Sequence, residues 1–289
     1  MKKNAPKTEE FLAAVPHDSP ALQLVPDEHQ SLLLYFEAVQ EEGGTLEYVP
    51  EKHKTYILCI IAVQEDGSAL EFVPEKHKTP ELCLVAILQD KRALEFVPEE
   101  LKTPELYQLA VLHDEWALEF VPEAYMTTGL FHTAVQQDGR ALYFVPEEFR
   151  TADLCLMAVN NSGLALAFVP EELKTNELCL MAVQENGWAL DFVPEDLQTP
   201  PFCLVAVQTT AKALQFVSEE LKTAELCLMA VQKNGKALQF VPDKVNTLEI
   251  CLAAVSQDLE AFEFVPEKFR TELQTMLLES EKQRRTNPG

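Results

Sequence analysis

A Val-Pro dipeptide recurs every 24 residues from Val25-Pro26 to Val265-Pro266, and its one lapse, Val217-Ser218, keeps the register. A period held without insertion over eleven units, from Lys7 to Arg270, is incompatible with one ordinary globular core. Each short unit can bury its apolar face only against its neighbours, so the chain must stack. The expected organisation is an N-terminal tail over residues 1–6, an eleven-repeat α solenoid over 7–270, and a capping helix and tail over 271–289.

The unit Thr175 to Gln198 reads TNELCLMAVQENGWALDFVPEDLQ. Thr175 is placed to cap a helix, its hydroxyl accepting from an amide that the first turn leaves unpaired. Ser31 or a threonine opens every unit from the second onward, and Pro80, Pro104 and Pro200 follow directly, where a missing amide is harmless. The run Leu178 to Val183 is apolar almost all round, which implies a core helix packed on both sides with a second layer behind it. Gly187, like Gly43, Gly67, Gly139, Gly163 and Gly235, is expected to end that helix in the left-handed conformation. The segment Ala189 to Val193 adds about one turn before Pro194 forces a restart, so the second half of the unit should be two short α or 3₁₀ turns.

Fixed columns should hold the stack together. An alanine column runs from Ala38 to Ala254 without exception and suits a close approach of helices. An aromatic column, Tyr48 and then Phe72 to Phe264, is expected in the core, where one ring buries about 150–250 Å². All seven cysteines, from Cys59 to Cys251, occupy a single phase. Neighbouring helices stand about 8–10 Å apart whereas a disulfide needs Cα atoms within about 7 Å, so these should be buried free thiols in a reducing compartment. The expected fold class is all-α, a right-handed superhelix on the order of 100 Å long at that spacing.

The pattern TAELCLMAVQKNGK of residues 223–236, followed by Ala237-Leu238-Gln239-Phe240-Val241, resembles a family of short helical tandem repeats known only as a domain of unknown function. It is also similar to the leucine-rich repeat variant solenoid, which alternates an α-helix with a 3₁₀ segment. The first resemblance implies proteins of protists and effector-like proteins of intracellular bacteria, and it implies no catalytic residue. Phe-Val-Pro stands here where many members of the family have Tyr-Ala-Ser, which leaves the shape of the second segment open.

Charge and motif content narrow function. The net charge is −24, and residues 8–281 alone sum to −30, which disfavours nucleic acid and anionic membranes as partners. No apolar stretch approaches a membrane span. No phosphate-binding loop, His-Glu-x-x-His or Cys-x-x-Cys is present, and a regular array does not bring unlike residues to one point, so neither catalysis, a metal nor a cofactor is expected. His29, His53 and His77 stand one unit apart, too far for a shared zinc, and read as packed, half-exposed rings, with a pH sensor as the alternative.

Specificity in a solenoid sits where stacking does not dictate the residue. Departures cluster in units five and six: Tyr107 and Phe131 replace the ladder cysteine, Gln108 and His132 replace the following leucine, and Thr133, His113, Trp116, Tyr125 and Tyr143 lie nearby in phase. These read either as a binding surface or as local repacking. Trp116 and Trp188 share a phase that tolerates charge, so each is an exposed anchor or a packing ring. Glu47, Glu71, Glu95 and Glu119 form one acidic column, and Glu42, Asp66, Asp90 and Asp114 a second, together a stripe that either steers a basic partner or only keeps the chain in solution. Glutamates such as Glu51 and Glu75, each with a lysine three residues on, read as paired charges on a solvated face.

The function that fits is a non-catalytic, monomeric protein-binding scaffold for a basic protein or peptide, acting in the cytosol, in the form of a bacterial effector exported into a host without a cleaved signal. The mixed C-terminal stretch Glu279 to Gly289 would serve as the export signal. Two alternatives stand beside it: a structural or self-assembling spacer, and an enzyme or inhibitor acting through units five and six.

Overall fold

The computed structural model describes Leu22 and residues 31–286, with side chains to residue 279. The tail 1–6, the Val25-Pro26 dipeptide, His29 and the last three residues lie outside the described residues. The described chain is all-α, with no strand. Ten α-helices of one length open the repeats: α1 (Leu32–Glu41), α2 (Tyr56–Glu65), α3 (Pro80–Gln89), α4 (Pro104–His113), α5 (Thr128–Gln137), α6 (Ala152–Asn161), α7 (Asn176–Glu185), α8 (Pro200–Thr209), α9 (Ala224–Lys233) and α10 (Leu248–Gln257). Each is followed by a six-residue 3₁₀ helix such as Gly187–Phe192, and after Val-Pro, through the seventh described repeat, by a three-residue one such as Glu195–Leu197. At residues 219–221 and 243–245 the last piece opens into a turn. The chain divides into two compact units, 1–134 and 135–289. In each, successive helices pack side by side, and their 3₁₀ segments form a second row.

The helix starts are set locally. Thr175 accepts from the Leu178 amide at 3.3 Å, and the same bond recurs at Ser31, Thr55, Thr79, Thr103 and Thr151. Thr199, followed by Pro200 and Pro201, makes no side-chain cap bond. At the other end Asn186 is extended, its amide bonded to the Ala182 carbonyl at 2.9 Å. Its side chain then accepts from the Trp188 amide at 3.0 Å and so starts the 3₁₀ helix. One residue thus ends one helix and caps the next. The terminal helix α11 (Glu267–Thr286) begins directly after Pro266 rather than at Thr271, so the last repeat runs into its cap without a break.

Glycine has a different task from the one its position suggests. Among the described residues no φ is positive, at glycine or elsewhere, so none of these helices ends in the left-handed region. A Cβ built on Gly187 would lie 2.4 Å from the Ala206 carbonyl oxygen, and one on Gly67 2.3 Å from that of Ala86. The glycine lets a 3₁₀ segment touch the backbone of the next helix at the invariant alanine. Lys91, Glu115, Ala211 and Leu259 break the glycine column. The Lys91 step is bridged by side chains instead: Lys91 pairs with Asp114 at 2.8 Å, and His113 Nε2 lies 2.9 Å from the Leu88 carbonyl oxygen.

In α7 the inward residues are Leu178, Cys179, Ala182 and Val183, joined by Gly187, Ala189, Leu190 and Val193 from the second half of the repeat. A buried leucine of this kind contributes about 1.5–3 kcal/mol, and eight of the ten described repeats supply two. The seven cysteines are free and fully buried, and burial pushes the thiols of Cys59, Cys83, Cys155, Cys179 and Cys227 up to about 11. The aromatic column is not core: Phe72, Phe168, Phe192 and Phe240 are half-buried at the flank of the stack, because the leucine two residues earlier takes the inward position of the 3₁₀ turn. Nor, among the described residues, does a second layer cover the outer face of these α-helices. The fifth and sixth residues of each helix are half-buried, like Leu180 and Met181 in α7, or exposed, like Leu109 and Leu156.

The lysines after the second 3₁₀ helix are also not solvated. The Lys54, Lys78, Lys174 and Lys222 side chains are 7–8% exposed, while their glutamate partners remain open to water. Lys78 donates to Glu75 at 2.9 Å and to the Phe96 carbonyl of the next repeat at 3.1 Å, and Lys54 reaches the Phe72 carbonyl in the same way. Lys54 and Lys78 are thus struts between repeats. Lys78→Met is therefore expected to cost about 1–3 kcal/mol by leaving that carbonyl unsatisfied, read as a lower urea midpoint. Lys76→Met, on an exposed neighbour, should leave the midpoint unchanged.

Candidate protein-binding surface

Glu47, Glu71, Glu95 and Glu119 are each the fifth residue of a six-residue 3₁₀ helix, and all four are exposed. The 3₁₀ turn that puts leucine inward and the aromatic at the flank leaves this position pointing to water. The four segments are stacked in order within the first unit, so the carboxylates form a row. Among the described residues none of the four pairs with a cation. Glu47 also accepts from the neighbouring Tyr48 hydroxyl, and this bond and charge push the phenol up from its ordinary value.

The second acidic column does not join the row. Asp66, Asp90 and Asp114 are half-buried, and each caps its own 3₁₀ helix by accepting from the amide two residues on, at 2.9 Å. Asp90 also binds the Arg92 guanidinium at 2.6 Å, which holds its carboxyl below the usual carboxylate range against the opposing effect of burial. Asp114 is paired with Lys91. These charges are engaged in structure, and only Glu42 of that column is exposed.

The residues of units five and six separate. Tyr107 is 1% exposed and stacks on Tyr125 with ring centroids 4.9 Å apart; Phe131 is fully buried. Both rings fill the interior, so Tyr107 is out of a partner's reach. Its hydroxyl is buried with no hydrogen-bond partner among the described residues, and burial raises the phenol to about 12. Tyr107→Phe should then raise stability by about 1 kcal/mol, the cost of a buried unpaired polar group, whereas an unchanged or lower urea midpoint would mean that the hydroxyl finds a partner. Gln108 is exposed and donates to Thr133 at 2.9 Å; His132 Nδ1 lies 2.7 Å from the Thr128 carbonyl oxygen of its own helix. These lie on the helix face, and His113 bridges to the preceding helix.

On the 3₁₀ side, Trp116 is half-buried, and Trp188, 37% exposed, meets Phe216 edge-on at 5.5 Å. Tyr143 has the phase of the glutamate row, is 58% exposed, and packs edge-on against Phe144 and Phe168 at 4.9 and 5.3 Å. His53 lies against Tyr35 at 5.2 Å and His77 against Tyr56 at 6.1 Å, both half-buried. Sequence reasoning missed one surface. Leu109, Leu112 and Leu156 are 45–57% exposed on the outer face of their helices, and the signal was the all-round apolar helix, which was read as burial.

Among the described residues no group of three His, Cys, Asp or Glu side chains is placed to hold a metal, and no helix is long and apolar enough to cross a membrane. Neither a curated protein nor a solved structure matches the chain. The family described as domain of unknown function (DUF4116) matches residues 56–102, 132–174, 152–198, 175–222 and 223–270, overlapping spans that cover most of the repeats. Each match spans about two of the helix and 3₁₀ units, and together they cover more than half of the sequence, so the chain belongs to the DUF4116 family.

Proposed function

We propose that the chain is a non-catalytic protein-binding scaffold that takes a basic protein or peptide along the row Glu47, Glu71, Glu95 and Glu119. The observation that carries this reading is their exposure, one per repeat and unpaired, while the aspartates of the adjacent column are held in capping bonds. A row of like charges at fixed spacing raises the local concentration of a cationic chain and speeds its encounter. Seven buried free thiols suit a reducing cytosol. An effector delivered into a host cytosol is the form such a scaffold would take on the family resemblance.

The test is recovery of binding proteins from eukaryotic lysate with the intact chain and with a variant carrying Gln at all four positions. Partners rich in lysine or arginine, eluted by salt and lost with the variant, are expected. Partners retained by the variant and indifferent to ionic strength would contradict the reading.

A further inference from the structure

The outer face of the helices in the second unit is an apolar strip with one charged edge. Leu156 and Leu204 are 46% and 37% exposed, and Met157, Leu180, Met181 and Met229 are half-buried around them. These are the fifth and sixth residues of α6 to α9, helices packed in order side by side. Between α6 and α7 lies a hollow of about 380 Å³ lined by Asp153, Leu156, Met157, Asn160 and Met181. Along the N-terminal margin stand Asp153, Glu177, Glu225 and, on α10, Glu249, all exposed; among the described residues none of them pairs with a cation. The opposite margin is Asn160, Gln184, Gln208 and Gln232, exposed and neutral. Lys233, the cation nearest that edge, donates to the Gln208 and Thr209 carbonyls. In α4 and α5 the corresponding positions include Gln108, His132 and Thr133, which interrupt the apolar character.

We propose that this strip docks a basic amphipathic helix of a partner protein, with its apolar face on the leucines and methionines and its lysines or arginines along the acidic margin. The charge pattern selects the sign of the partner: one edge is anionic, the other uncharged. Backbone chemistry selects a helix. The strip is made of side chains on helices whose own amides and carbonyls are paired, so it offers nothing to the open hydrogen-bonding groups of an extended peptide. A helix brings its bonds already made. Four neighbouring helices at about 8–10 Å per step span roughly 25–30 Å, matched by a partner helix of about 20 residues at about 1.5 Å per residue. Anchors some seven residues apart in the partner would then meet successive helices, and methionine adapts to whichever side chain arrives. The strip is built on α-helices of the second unit, whereas the glutamate row is built on 3₁₀ helices of the first.

The probe is a labelled 20-residue peptide of leucine, alanine, lysine and arginine, with its leucines on one helical face, titrated into the full chain by fluorescence anisotropy. Leu156→Gln with Leu204→Gln should weaken binding at least tenfold without altering the far-UV spectrum or melting, since both side chains are exposed and Gln108 already occupies this column. Asp153→Asn, Glu177→Gln, Glu225→Gln and Glu249→Gln together should lower affinity several-fold and flatten its salt dependence. In a chain with Glu47, Glu71, Glu95 and Glu119 neutralised, the loss caused by the leucine pair should persist undiminished, which separates this site from the row. Binding no tighter than that of the same peptide with its leucines scattered around the helix would overturn the proposal, as would indifference to both variants of the strip. A dimer seen in sedimentation and dissolved by the leucine variant would also overturn it, by giving the strip to a second copy.

Discussion

Gly187→Ala is expected to lower stability by about 1–3 kcal/mol, the usual cost of forcing an extra methyl into a packed site. Alanine would ordinarily be the safer residue in a helical segment, and no unusual backbone angle holds this glycine. The cost comes from the next repeat. The added carbon would meet the Ala206 carbonyl oxygen at 2.4 Å, Thr210 Cβ at 2.9 Å and the Thr210 amide at 3.0 Å, two of them backbone atoms that cannot swing aside. Relief requires the 3₁₀ segment to back away from α8, which opens the contact along the Leu190 side. Ala211 provides the control, because its repeat already carries a methyl at this phase and buries it to 5% exposure. Ala211→Gly should change stability little. Partial denaturation curves, analysed as a stack rather than as one transition, compare the two.

The second large effect separates the inner leucine from the aromatic beside it. Leu70 is fully buried and Phe72 half-buried in the same 3₁₀ helix. Leu70→Ala should cost about 2–5 kcal/mol through lost burial and a cavity closed in on all sides. Phe72→Ala should cost less, although it removes more atoms, because solvent already reaches the ring and fills the gap. Equal losses, or a greater loss at Phe72, would return the aromatic column to the core.

What the sequence disclosed and what it hid divide along a physical line. The Thr175 cap, the Pro194 break and the two short turns of each second segment depend on residues a few positions apart, and the backbone responds to them locally. The alanine column and the cysteine ladder were legible because a residue that never varies in size or phase marks a fixed packing site. Gly187 was misjudged because what requires a glycine there is a carbonyl nineteen residues on. Lys78 was misjudged for the same reason: glutamate and lysine three apart look like a surface pair, and the Phe96 carbonyl that fixes the lysine belongs to the following repeat. The helix α7 looks buried all round in the sequence because its apolar residues outnumber the four positions that stacking uses.

The candidate surface was legible in part. Exposure of Glu47, Glu71, Glu95 and Glu119 follows from the turn, and their phase was plain. The engagement of Asp66 and Asp114 was hidden, because an aspartate at the end of an α-helix reads as a free charge until the 3₁₀ helix it caps is seen. Tyr107 could not be assigned either way, since its ring partner Tyr125 comes from the second half of its own repeat and meets it only when the unit folds back.

The central claim is that repeats are held to their neighbours one by one, through a close glycine-to-alanine contact wherever the glycine is present, as between Gly187 and Ala206. Amide hydrogen exchange along the intact chain and its Gly187→Ala variant measures it directly. The account predicts faster exchange in α7, α8 and the 3₁₀ helix Gly187–Phe192, with α10 and α11 unchanged. A uniform rise along residues 135–286, or none at all, would contradict it.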